Sequence, residues 1–326
     1  MNSLMAKGSQ VKRIVAKALR RIGLGGFEWK SSGERAARGG SRNPYPTLAN
    51  VAYGTHPRQV LDFWRANSSE ASPLIFFIHG GSWRGGSKSH VSHVAEYLAA
   101  GISVVSIEYR FIAAAVREGI MPPVKGPMDD AARALQFVRS KAAEWNIDKT
   151  RIAASGGSAG ACSALWLGFH SDLSHPMSTD PIARESTRLW CIAGIGAQTS
   201  LDPMQMKEWI PNSRYGGHAF GFRDNVNGAR SGFEQFLESR EAILHWIIEY
   251  SPYAHLSASA PPVYLAYKAP PALGQEQDDP THSANFGVKL QEKCKRLGVS
   301  CELVYPGAPD VKHASVRDYI IAMLNT

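Results

Sequence analysis

The chain has 326 residues, 44% of them apolar, and a formal net charge of +8. That is long enough for one large α/β domain with a real core, and no apolar run approaches the ~20 residues that a membrane span needs. The charge is uneven: residues 1–45 hold ten basic residues against two acidic ones, the remainder balances, and a basic body of the kind that binds nucleic acid is excluded.

Within the tail, Val11, Ile14, Val15, Ala18, Leu19 and Ile22 recur at helical spacing, with Lys12, Arg13, Lys17, Arg20 and Arg21 mostly on the other face. Three readings stand for this stretch: a solvated basic extension, a helix lying on an anionic membrane surface through residues 11–22, or an Arg-rich targeting segment. It lacks the continuous apolar run of a secretory signal peptide, and a cytoplasmic location is expected. Residues 31–43, rich in Ser, Gly and Arg, read as a linker. The expected division is a basic extension over 1–45 and a catalytic domain over 46–326.

From about residue 46, short apolar runs alternate with helical patterns. Strands are predicted at 60–64, 74–79, 102–109, 151–155, 190–197, 263–267 and 301–305, and helices at 89–100, 129–145, 159–170, 286–297 and 314–324. Gly101, Asn146 and Gly298 stand where helices should stop. This alternation, with near-continuous apolar strands, predicts a mostly parallel central sheet with helices on both faces. The four cysteines, Cys162, Cys191, Cys294 and Cys301, form no C-x-x-C pair and no metal-like spacing with histidine. They read as buried thiols of a reducing compartment, with a Cys294–Cys301 bridge as the alternative.

Two motifs carry chemistry. Strand 74–79 ends in His79-Gly80-Gly81-Ser82-Trp83. Acyl transfer needs backbone N–H groups aimed at a developing oxyanion, and a Gly-rich loop lets backbone approach the substrate. Further on, Gly156-Gly157-Ser158-Ala159-Gly160 matches G-x-S-x-G. A nucleophilic serine on a sharp strand-to-helix turn takes a strained backbone, and its neighbours two before and two after must be small. In a chain with 30 glycines the match is weak by itself. The Gly-rich loop about two strand-helix units upstream strengthens it. The expected oxyanion donors are the amides of Gly81, Ser82 and Ala159, with Gly80 in reserve. Asp129 and Asp130 read as the capping start of a helix, and Arg110 as a tie between loops at a strand end.

On these motifs, with Glu108-Tyr109-Arg110, Asp129-Asp130 and Ala134-Leu135 in family order, residues 46–326 resemble an α/β-hydrolase of the esterase/lipase group. That group includes the hormone-sensitive-lipase-like carboxylesterases and the feruloyl- and acetyl-xylan-esterase-like enzymes. Two departures stand out: Ser82 occupies a position often held by glycine, and Gly157 one often held by an acid. The resemblance implies a Ser-His-Asp triad and no metal or organic cofactor. It places the base at His313, in the loop after the last strand, where ligands meet a parallel sheet. It places the acid after strand 263–267, where Asp279-Pro280 fits and Asp278 is the alternative; Glu276 and Asp310 also remain. His282 is the rival base, set aside because it sits so close in sequence to Asp279. The interval 199–260, with Trp209, Tyr215, Phe220, Phe222, Phe233, Phe236 and Trp246, is expected to build a cap or pocket wall. The expected function is hydrolysis of short-chain acyl or carbohydrate-linked esters, small molecules, through an acyl-enzyme. Alternatives are a serine peptidase of the same fold and a catalytically silent binding protein.

Overall fold

The computed structural model describes residues 43–223 and 231–326. The basic stretch 11–22, and with it the membrane and targeting readings, lies outside them. The unit Pro44–Thr326 holds one eight-stranded sheet in the order β1-β2-β4-β3-β5-β6-β7-β8. At one edge β1 (Leu48–Ala52) pairs antiparallel with β2 (Val60–Trp64), which pairs antiparallel with β4 (Ser103–Ile107). From β4 the pairing is parallel through β3 (Ser72–Ile78), β5 (Ile147–Gly157), β6 (Cys191–Ile195), β7 (Val263–Ala266) and β8 (Cys301–Val304). β1 was not predicted. It is a mostly exposed edge strand whose register shifts between Leu48 and Val51, and Asn50 within it has φ 55°, so no apolar alternation announces it.

Both faces of the sheet are covered, and successive residues divide between them. Leu74, Phe76 and Ile78 of β3 join Ile152 and Ala154 of β5 and Leu265 of β7 in one core. That core also holds Met128 and Leu135 of α3 (Lys125–Ser140), Leu165 of α5 (Ala159–Phe169) and Leu290 of α10 (Asn285–Leu297). Ile75, Val104, Ala153 and Tyr264 point the other way, against Val94 and Tyr97 of α1 (Val94–Ala99) and Tyr319 and Ile320 of α11 (Val316–Leu324). Period-2 alternation on strands apolar on both sides is what a parallel sheet between two helical layers requires. α5 runs through the first core with every residue buried and no charged side chain, the pattern of a helix enclosed on all sides.

Helix α3 corrects the capping assignment. It starts at Lys125, so Asp129 and Asp130 lie in its second turn. Asp130 is buried and accepts from the Arg110 guanidinium at 2.8 Å and from Gln59 Nε2 at 2.7 Å. Arg110 also reaches Glu118, at the end of α2 (Ile112–Arg117), and so does tie loops together. Asn146 takes the left-handed conformation after α4 (Ala142–Trp145), as predicted for a helix stop. All four cysteines are free thiols, three of them buried. Between β6 and β7 the chain forms α6 (Pro203–Trp209), a single-turn helix at Gly217–Phe220, α7 (Gly232–Glu238), α8 (Leu244–Tyr250) and α9 (Pro252–His255). This is the interval read as a cap or pocket wall around 199–260, and its helices were not predicted. Among the described residues no helix is long and apolar enough to cross a membrane.

Candidate active site

Ser158 sits between the last residue of β5 and the first of α5, with φ 53° and ψ −123°. Such a conformation costs a non-glycine residue about 1–3 kcal/mol and persists only where the surroundings enforce it. Here the enforcement is visible. The Ser158 amide donates to Ile195 O at 2.8 Å, and Ser158 O accepts from Cys162 N at 3.0 Å. A Cβ on Gly156 would stand 2.5 Å from Ile78 O, and one on Gly160 only 2.1 Å from the same atom. The two glycines of the motif are therefore required by the closeness of β3, while Gly157, whose Cβ would meet only Ile195 O at 3.9 Å, is not.

The His79 loop presses on this turn. A Cβ on Gly80 would lie 2.5 Å from Gly157 O and 3.4 Å from Ser158 Cβ. Gly81, Ser82 and Trp83 follow with φ 108°, 53° and 55°. Three such residues in a row turn successive peptide groups in a way that ordinary loops avoid. Trp83 is fully buried and pins the loop: its Nε1 donates to Ser163 Oγ at 3.0 Å, and Ser163 donates to Ala159 O at 2.9 Å. His79 stacks on Tyr109 and donates from Nδ1 to Gly80 O at 2.7 Å, with Nε2 3.3 Å from Glu108. Burial alone would raise the Glu108 pKa. The approach of the His79 ring, the hydrogen bond from the Lys88 amide and the charge of Arg58 outweigh it and hold the carboxyl at about 2. His79 is thus a brace for the loop. The Ala159 amide, first in α5, has no acceptor within its own helix.

The ring beside the serine is that of His282, with Nε2 2.9 Å from Ser158 Oγ and Nδ1 2.8 Å from Asp279 Oδ2. The carboxylate accepts only, so Nδ1 carries the proton and Nε2 presents its lone pair to the serine hydroxyl. The His282 amide also donates to Asp279 Oδ1 at 3.2 Å and to Asp279 O at 3.2 Å, closing a turn over 279–282. Gly196, after β6, makes room for the ring: a Cβ there would lie 3.3 Å from His282 Cβ and Cδ2. Buried Gln198 holds the turn from below, donating to Thr281 O at 2.6 Å. Fully buried Asn285 anchors the far end. Its Nδ2 donates to Trp209 O at 2.7 Å and Ala272 O at 2.9 Å, and its Oδ1 accepts from Ala272 N at 2.8 Å.

His313, the expected base, is placed elsewhere. Its Nδ1 and its amide both lie 2.7 Å from the Glu302 carboxylate, its carbonyl accepts from Tyr264 Oη at 3.1 Å, and its ring packs on Tyr319. Glu302 pairs with Tyr264 early in both strands, and Tyr264 and Tyr319 belong to the core on the other side of the sheet. The loop after β8 is thereby tied down, away from the serine. Closeness in sequence does not keep Asp279 and His282 apart, because a single i to i+3 turn brings the carboxylate onto the ring. Asp279 meets His282, whereas the expectation paired it with His313. Asp278, Glu276 and Asp310 are exposed, and the carboxylate on His282 Nδ1 is that of Asp279. The useful signal in the sequence was the spacing Asp279-Pro280-Thr281-His282.

A parallel sheet in this strand order, with a serine strained at the carboxyl end of β5 and a glycine loop against it, is the α/β-hydrolase architecture. The BD-FAE family model matches residues 61–269, and the chain belongs to that family. It is 24% identical, over 80% of its length, to a probable isoprenylcysteine alpha-carbonyl methylesterase of Arabidopsis thaliana, of which it covers 50%. It is 25% identical, over 83% of its length, to the probable carboxylic ester hydrolase LipM of Mycobacterium tuberculosis, of which it covers 56%. The chain thus spans about half the length of these relatives. Among solved structures it is similar to a truncated carbohydrate esterase from gut microbiota, with TM-score 0.62 and 18% identity over 88% of this chain and 99% of the other. It is also similar to esterase 2 of Thermogutta terrifontis phosphonylated by sarin, with TM-score 0.58 and 23% identity over 86% and 94%.

Proposed function

We propose that the protein is a serine carboxylic-ester hydrolase in which Ser158 is the nucleophile, His282 the general base and Asp279 the residue that orients it. The observation that carries this reading is the continuous relay from Ser158 Oγ through His282 to Asp279, at 2.9 and 2.8 Å, on a strained serine. The names of the relatives, methylesterase and carboxylic ester hydrolase, support the same chemistry. His282 takes the serine proton as Oγ attacks the ester carbonyl. The amides of Ala159, Gly81 and Ser82 hold the oxyanion, and His282 returns the proton to the departing alcohol. Water, activated by the same ring, then releases the acid. Short acyl groups, including those carried on carbohydrate, are the proposed substrates; structural neighbours titled carbohydrate esterase and acetyl ester-xyloside bifunctional hydrolase motivate the sugar arm of the test.

The test is labelling with a fluorophosphonate probe, together with hydrolysis of p-nitrophenyl acetate, acetylated xylan and a peptide amide. Labelling of the parent and none of Ser158→Ala, with ester turnover and no amide turnover, is the expected result. Absence of labelling in the folded parent points to a silent binding protein, and preferential amide cleavage points to a peptidase.

A further inference from the structure

At the other end of α5 from Ser158, about 17 Å along an 11-residue helix, lies a second cluster of polar side chains. His170 follows the last turn of α5, Glu249 lies on α8, and His255 ends α9. One ligand-capable atom of each lies within 4.8 Å of the other two. They line an open cavity of about 460 Å³ that also receives Arg188, Ser257 and Ser259.

The hydrogen bonds leave this cluster short of a positive charge. His170 Nδ1 faces the Ser171 carbonyl at 2.9 Å, nearer than the Ser171 hydroxyl at 3.3 Å; a carbonyl only accepts, so Nδ1 carries the proton. That leaves the lone pair of Nε2 against Glu249 Oε1 at 3.2 Å, two acceptors facing each other. A second proton on the ring or a cation between them resolves the conflict. The separation is close to the roughly 3.3 Å between neighbouring ligand atoms of a tetrahedral zinc ion with bonds near 2.0 Å. His255 donates from Nε2 to Glu249 O at 2.6 Å, which leaves Nδ1 as its ligand atom and supplies the backbone carbonyl that metal-bound histidines commonly use to fix their tautomer. The two rings lie 4.5 Å apart, centroid to centroid.

We propose that His170, Glu249 and His255 form a binding site for a divalent transition-metal ion of the zinc class, which fastens helices α8 and α9 of the insertion to the helix that carries Ser158. Two imidazoles and a carboxylate suit zinc, cobalt or nickel and not magnesium. The cavity leaves the fourth position to solvent. Arg188, whose Nη1 reaches His170 O at 3.4 Å, is the one feature of the lining that opposes a cation. The ion's role is structural, since the reacting serine is a helix length away.

The test uses the full chain, tag removed and chelator-treated, titrated with Co²⁺ and then Zn²⁺. One Co²⁺ per chain with visible d–d absorption is expected, displaced by Zn²⁺, with a rise of at least about 3 °C in Tm at saturating zinc and none with Mg²⁺. His170→Gln and His255→Gln should each weaken binding by at least roughly 10-fold, Arg188→Ala should tighten it, and His255→Gln should keep ester turnover within about two-fold of the parent. Should a glutamine variant fail to fold, Arg188→Ala, which leaves the ligands intact, still decides. A parent that binds no Co²⁺, or that binds it equally well after either histidine is replaced, overturns the proposal and leaves a direct His170–Glu249 contact with no ion.

Discussion

At the scale of single residues, Gly160 and Asp279 of the candidate site respond differently to substitution because their surroundings differ. Gly160 has no space for a Cβ, which would lie 2.1 Å from the backbone oxygen of Ile78, and backbone cannot swing aside as a side chain can. Gly160→Ala should therefore destabilise the fold by about 3 kcal/mol or more, measured by urea unfolding, whereas Gly157→Ala should be nearly neutral. Asp279 has 61% of its side chain exposed, so water already shares its charge and can replace part of its role. Asp279→Ala should lower kcat on p-nitrophenyl acetate by roughly 10²-fold, less than the loss known for a buried triad acid, and Asp278→Ala by no more than about two-fold. A larger loss at Asp278 would contradict the assignment. Ser158 and Asp279 stand out in the sequence because each sits in a pattern with a local cause, a small-residue turn and an aspartate before proline. His282 could be read only with the geometry of the 279–282 turn in hand.

Elements place these residues, and two of them depend on buried polar anchors. Asn285 starts α10 with three hydrogen bonds to Ala272 and Trp209, joining the acid-base loop to the insertion. Asn285→Leu leaves the Ala272 amide without its acceptor and removes one of the bonds at Trp209 O, which keeps Gly274 N, and at Ala272 O, which keeps Gln275 N, and should cost about 2 kcal/mol. It should also lower kcat more than it raises KM, because Asn285 positions His282 without lying beside the serine. The His79 loop leans on Glu108, whose pKa of about 2 lies below the value of about 4.3 it would have unfolded. A depressed carboxyl stabilises above its unfolded pKa and loses that contribution as pH falls through its folded one. The stability gap between parent and Glu108→Gln, on the order of 2–3 kcal/mol at neutral pH, should shrink between about pH 4.3 and 2. The strands that carry these anchors were legible because β3 and β5 are apolar on both faces. β1 was not, being short, exposed and irregular, and α3 began earlier than Asp129 suggested because its first turn carries no acidic cap.

Across the whole molecule, the layered sheet fixes which loops can meet. The carboxyl ends of β3, β5, β6 and β7 bring the His79 loop, Ser158, Gly196 and the 279–282 turn to one edge. The loop after β8 is drawn instead toward Glu302 and the opposite helical layer. Glu302, Tyr264 and Tyr319 together hold that loop, and spacing along the chain carries no trace of it. The charge distribution has its own consequence: residues 46–326 are balanced, so binding of the full chain to anionic vesicles at low salt should vanish when residues 1–42 are removed, as a pelleting assay would show. The central claim is the partner of Ser158, and kcat/KM on p-nitrophenyl acetate for His282→Ala and His313→Ala, each checked for folding, tests it most directly. The account predicts a loss of at least roughly 10³-fold for His282→Ala, comparable to Ser158→Ala, and less than about five-fold for His313→Ala. A near-complete loss at His313 with activity retained at His282 would contradict it.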